Sequence, residues 1–66
     1  MTKKKEYETL HVDVEFVSMK SIKVVNEEFG EVFIPISVIE DGDMIEEGHD
    51  QDINVESWFC EKEGLA

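Results

Sequence analysis

Cysteine, proline and base are what this sequence has least of. The lone Cys60 excludes an internal disulfide, and no Cys/His group has the spacing of a zinc site. A single free cysteine suits a reducing compartment. No apolar stretch follows the charged start Met1–Glu6, as a secretory signal would need, and no apolar run approaches the ~20 residues of a membrane span. A cytoplasmic location without membrane attachment is expected. Beyond Asn26 only one basic residue remains, Lys62, which excludes an extended cationic groove for nucleic acid in that part of the chain.

What is abundant is acid, and it is unevenly placed. From Met1 to Asn26 five lysines meet four acids, a net of +1; from Glu27 to Ala66 thirteen acids meet one base, a net of −12. Together these make the −11 of the whole chain, a field that repels phosphate backbones and attracts cationic partners. At 66 residues the chain is one small domain. A domain near this size buries only about 60% of the surface its unfolded form exposes. Hydrophobic residues nevertheless make up 41% and fall in ordered patterns, so a folded core is expected rather than an acidic disordered chain.

The pattern is mostly that of strands. Residues 1–8 form a charged lead without periodicity, expected to be flexible, followed by a single β domain over 9–66. Leu10, Val12, Val14 and Phe16 alternate with His11, Asp13 and Glu15, which predicts a half-buried strand. Ser21–Val25 is a second strand with Ile22 and Val24 inward, and Glu31–Ile36 a third with Val32, Ile34 and Ile36 on one face. Between them Asn26–Gly30 carries turn residues, Gly30 being free to take positive φ, so the two strands make a hairpin. Pro35 cannot donate to a ladder and belongs on an edge or where pairing ends. Ser37–Glu40 fits a capping box for one helical turn, and Asp41–Gln51 is an acidic loop anchored by Met44 and Ile45. Asp52–Glu56 is a short last strand. Ser57 then caps a helix from Trp58 to about Glu63 that Gly64 ends, with Trp58 substantially buried. The expected fold class is mainly β: a small antiparallel barrel or curled sheet, SH3-like or OB-like, with a short C-terminal α-helix, and an open sheet packed by that helix is the alternative.

No motif for catalysis stands out. The segment Asp41–Asp52 invites a calcium reading, but Ile45 and Glu46 stand where an EF-hand needs an oxygen ligand and a glycine, and Asp52 where it needs glutamate. His49 lies among the acids Glu46, Glu47, Asp50 and Asp52, and His11 is a surface histidine on the first strand. Neither comes with a second catalytic group, and their separation carries no metal-ligand spacing. Cys60 has no base beside it and reads as a small core residue. No cofactor, no metal and no enzymatic activity are therefore expected. The residues expected to contact a partner are the acids Glu27, Glu28, Glu31, Glu40, Asp41, Asp43, Glu46, Glu47, Asp50 and Asp52, with Phe29 and Phe33 as aromatic contacts. Lys20 and Lys23, with Phe33, are the only material for a single-strand-binding strip, and the acid outweighs them. Without disulfide or metal, a homodimer through a patch containing Phe29 or Phe33 is also expected.

Three blocks, Lys20-Ser-Ile-Lys-Val24, Val32-Phe-Ile-Pro-Ile-Ser-Val-Ile39 and Glu56-Ser-Trp-Phe-Cys-Glu-Lys-Glu-Gly-Leu65, resemble a group of very small acidic proteins encoded by bacteriophages and prophages. Those read K-A-I-x-V, then W-I-P-K-S-Q-I, then E-W-x-A-x-K-x-G-L, so Phe33, Ile36 and Val38 depart from the pattern. The resemblance implies a phage origin and a place in the host cytoplasm. By analogy of charge and source it implies an inhibitor, anti-CRISPR-like or DNA-mimicking, of a host nuclease or other defence complex. An acidic protein that engages a basic surface of such a target is the leading expectation. An accessory single-stranded nucleic-acid-binding protein of phage recombination or replication is the alternative.

Overall fold

In the computed structural model, residues 6–65 are described. Four antiparallel strands, β1 (Tyr7–Val17), β2 (Ser21–Asn26), β3 (Gly30–Pro35) and β4 (Gly48–Glu56), form one sheet in the order β3-β2-β1-β4. A helix, α1 (Ser57–Glu63), follows β4 directly. The chain is mainly β, as its alternation predicts, and the sheet curls without closing. After β3 it crosses through two 3₁₀ turns, Ile36–Val38 and Gly42–Met44, to reach the far edge of β4. There Ile39 makes a lone bridge to Val55, and Glu40 N–H donates to Asn54 C=O at 2.8 Å. That single bridge does not close the sheet: β3 and β4 are its two edges and do not pair, so it stays open and no barrel forms.

The core lies on the concave side. Leu10, Val12 and Val14 of β1, Ile22 and Val24 of β2, Ile34 of β3, and Ile53 and Val55 of β4 all point into it, each at alternate positions of its strand. Phe59, Cys60 and Leu65 close one end. The hairpin β2–β3 turns at Asn26–Gly30 with Gly30 at φ 76, a left-handed conformation that glycine takes without steric cost. Ile36 N–H donates to Lys20 C=O. Backbone direction alternates along a strand, so the position of Pro35 that lacks a donor faces the free edge of β3.

Several expectations need correction. The lead expected to be flexible over 1–8 falls partly outside the described residues, but Tyr7 and Glu8 belong to β1, paired with Glu56 and Val55. Phe16 was expected inside with Leu10, Val12 and Val14. Glu15 is an extra residue between the pairs Val14–Val24 and Phe16–Lys23, a bulge that reverses the alternation. Phe16 is therefore 53% exposed, and Val17 packs on the core instead. The acidic loop is shorter than Asp41–Gln51, because β4 begins at Gly48 and takes Asp50 and Gln51 into the sheet. Ser37 caps no helix: the turn there is 3₁₀, begins after Pro35 and has no side-chain cap.

The helix differs at its start and agrees at its end. Ser57 is its first residue, not its cap; its N–H donates to Glu6 C=O, and its hydroxyl donates to a Glu8 carboxylate oxygen. At the other end Gly64 has φ 72, and Leu65 N–H donates back to Cys60 C=O at 2.8 Å, which seats Leu65 in the core. Trp58 was expected to be buried and is 54% exposed. On a seven-residue helix one stripe faces the sheet, and Phe59 and Cys60 occupy it. Trp58 turns its indole N–H to Glu56 Oε1 at 2.7 Å and meets Phe59 edge to face.

Candidate functional site: an acidic band across the sheet

The convex face and the crossover carry the acid. On β4, His49 and Asp50 together oppose Asp13 of β1, a bulge in which Asp50 takes φ 52. Asp13 holds it: its Oδ1 accepts Asp50 N–H at 2.8 Å, and its Oδ2 lies 3.6 Å from His49 Nδ1. The donated N–H, with His49 adding, keeps the Asp13 carboxyl below the usual carboxylate range. His11 sits between two acids of β4, with Nδ1 2.8 Å from Asp52 Oδ1 and Nε2 3.4 Å from Asp50 Oδ1. A ring that donates from both nitrogens is the imidazolium, and the hydrogen bonds to Asp52 and then Asp50 raise the His11 pKa.

Three shallow grooves connect these groups. The first lies between the β2–β3 turn and the bulge, lined by His11, Asp13, Asn26, Glu27, Glu28 and Asp50. The second shares Asp13 and continues to Glu15, Glu47 and His49. The third, on the far side of β4, is lined by Glu40, Asp41, Asp52 and Asn54, with Met44 and Ile45 below. Asp13 joins the first to the second, and the His11–Asp52 contact joins the first to the third. The result is a continuous acidic band from the hairpin tip to the crossover. Asn26 sets its near end, donating from Nδ2 to His11 C=O at 2.7 Å. Gly42 sets its far end: it is buried against Ile36, where an added Cβ would lie 2.6 Å from the Ile36 carbonyl oxygen.

Of the acids expected to contact a partner, the band includes Glu27, Glu28, Glu40, Asp41, Glu47, Asp50 and Asp52. Asp43 and Glu46 are exposed on the crossover but line none of the three grooves. Glu31 is drawn aside to Lys23, 3.1 Å away. Among the described residues, Glu27, Glu28, Asp41, Asp43, Glu46 and Glu47 have no ion-pair partner, and all six are exposed. Sequence reasoning missed Asp13, Glu15 and the two histidines as members, because they belong to a different part of the chain or read as isolated groups. The strand alternation that placed His11 and Asp13 on one outward face was the available signal.

The remaining candidates separate. Phe29, expected as an exposed contact, packs against the core, whereas Phe33 is 61% exposed. Lys23 is held by Glu31 and by Glu15, 3.6 Å away, which raises its pKa and neutralises its field; Lys20 lies exposed on the β1–β2 turn, with no ion pair among the described residues. Cys60 is fully buried among apolar groups, and burial pushes its thiol pKa up, away from the thiolate a nucleophile needs. Among the described residues no group of three or more His, Cys, Asp or Glu is arranged to hold a metal ion. No described helix is long and apolar enough to cross a membrane. No protein-family model, no curated protein and no solved structure matches the chain.

Proposed function

We propose that this protein is a non-catalytic binding protein whose acidic band engages a basic protein surface. The observation that carries the reading is the continuity of the band: acids from the hairpin tip, β1, β4 and the crossover meet along three joined grooves. Over residues 6–65 seventeen acids face three lysines, and one of those, Lys23, is already neutralised. Surfaces of one sign steer partners of the other and raise their association rate, most strongly at low salt. Carboxylates spaced along strands and turns can occupy a groove built for phosphates. The resemblance to phage-encoded acidic proteins directs the target class to nucleic-acid-processing or defence proteins of a host.

The test is charge reversal. Changing Glu27, Glu28 and Glu47, exposed residues that line the first two grooves, to lysine should weaken binding to a nuclease with a basic substrate groove, and to polylysine as a minimal probe, while leaving the fold intact. Exposed loop substitutions usually change stability by less than about 0.5 kcal/mol each. Wild-type affinity should fall steeply with salt, since exposed charges are screened over about 8 Å near physiological ionic strength. Binding that ignores both salt and the reversal would refute the acidic-band reading.

A further inference from the structure

The bulge at Glu15 places Phe16 opposite Lys23, and Lys23 stands opposite Phe33, so three outward side chains line up across β1, β2 and β3. Adjacent strands lie about 4.8 Å apart, which sets the two rings about 10 Å from each other with the lysine stem between them. Both rings are more than half exposed, while only 28% of the Lys23 side chain is, because Glu15 and Glu31 grip its ammonium. The stem therefore lies along the sheet as apolar surface between two rings. Glu15 and Glu31 flank the row, and Asp13, Val25 and Glu31 form the next row of paired positions beside it. The aromatic row and the acidic band meet at Asp13 and Glu15, which line the second groove.

We infer that the Phe16–Lys23–Phe33 row is the apolar centre of the docking surface, and that its occupant is a cationic protein segment that seats an apolar side chain between the two rings. Charge selects this occupant. A second copy of the chain would set one ring of carboxylates against another, whereas lysines or arginines beside an apolar anchor would meet Glu15, Glu31 and Asp13. Binding surfaces commonly combine such an apolar centre with a charged rim, the centre holding the complex and the rim steering it. This inference rests on the acidic-band reading and assigns that band the role of rim.

Two synthetic peptides of equal charge test it by amide chemical-shift titration of the labelled protein at physiological salt: one of alternating lysine and glycine, the other with its central glycine replaced by phenylalanine. The phenylalanine peptide should bind about tenfold more tightly, as burial of one apolar side chain allows, with the largest shifts at Phe16, Lys23 and Phe33. Phe33→Ser and Phe16→Ser should each reduce that advantage and leave affinity for the glycine peptide unchanged. Equal affinity for both peptides, with shifts confined to the grooves, would overturn the apolar centre and leave the acidic band standing. Failure of both peptides to bind would overturn the two readings together. Self-association in sedimentation equilibrium that Phe33→Ser abolishes would make a second copy the occupant and overturn the cationic one.

Discussion

Asp13 accepts the backbone N–H of Asp50 at 2.8 Å, so one acid of the band holds the main chain that presents another. The bond matters because Asp50 has φ 52, a left-handed conformation that costs a residue with a side chain roughly 1–2 kcal/mol. An ionised carboxylate that accepts a backbone N–H makes a stronger bond than a neutral group would. Negative charge is thus used structurally as well as displayed. The same bulge turns His49 back towards Asp13 and brings Asp50 within reach of His11.

The His11 contacts predict a pH dependence of defined sign. The folded-state pKa of His11 is raised, so its contribution to stability is fully present below the unfolded value near 6.5 and is lost as pH rises through the folded value. Asp13 acts oppositely: its lowered pKa gives stability that is present above the ordinary carboxylate value and lost as pH falls through the folded one. The melting temperature of wild type minus that of His11→Gln should therefore be larger at about pH 5.5 than at pH 8. Thermal unfolding of both proteins across that range measures it, and a difference independent of pH would remove the imidazolium from the band.

Neighbouring aromatics on α1 should behave differently when truncated. Phe59 is buried against the core, so Phe59→Ala should cost about 3–5 kcal/mol, enough to unfold a domain this small. Trp58 is half exposed, and Trp58→Ala should cost about 1 kcal/mol and leave a cooperative transition. Urea unfolding of the two variants decides between this order and its reverse.

Gly42→Ala should loosen the crossover. The added Cβ would lie 2.6 Å from the Ile36 carbonyl oxygen and 2.7 Å from Ile36 Cγ2, and the nearest obstacle is backbone that cannot swing away. Overpacking of this kind costs about 1–3 kcal/mol. Hydrogen exchange should quicken at Glu40 and Ile45, whose N–H groups close this segment. Unchanged stability and exchange would show that the crossover is not held at Gly42.

Salt should stabilise the fold. A net charge of −11 on a chain of 66 residues repels itself, and screening relieves that repulsion. The melting temperature should rise as sodium chloride is raised from about 20 mM to 500 mM, a change that shortens the screening length severalfold. Lysine substitutions at Glu27, Glu28 and Glu47 should flatten this dependence in calorimetry. A melting temperature that falls with salt would mean that the ion pairs of Lys23 and the histidines outweigh the repulsion.

Much of the strand structure was legible because alternation is a local property. Ile22, Val24, Ile34, Ile53 and Val55 lie inward as their positions in the sequence predict, and Gly30 and Gly64 take positive φ at the two ends where glycine was needed. Where the reading failed, a non-local pairing intervened. Nothing in Glu15-Phe16-Val17 announces a bulge, which arises because β1 must pair with β2 on one side and β4 on the other. His49–Gln51 has no apolar residue to alternate and becomes strand only because β1 offers it a partner. Trp58 and Phe59 are equally apolar in sequence, and which of them is buried depends on how the helix is set against the sheet.

The class of fold and the sign of the charge follow from local spacing and from counting. The missing donor of Pro35 confines it to an edge or to the end of pairing, and it stands on the edge strand β3. The tertiary fold settles what the charge does. It drew Asp13 and Glu15 out of the nearly neutral first part of the chain and into contact with the grooves of the acidic remainder. It also set Phe16 beside Phe33 across a lysine that two glutamates neutralise. The physical reason is register: Phe16 meets Lys23, and Asp13 meets Asp50 37 positions further along the chain, across strands about 4.8 Å apart, and a bulge chooses which side chains share a face.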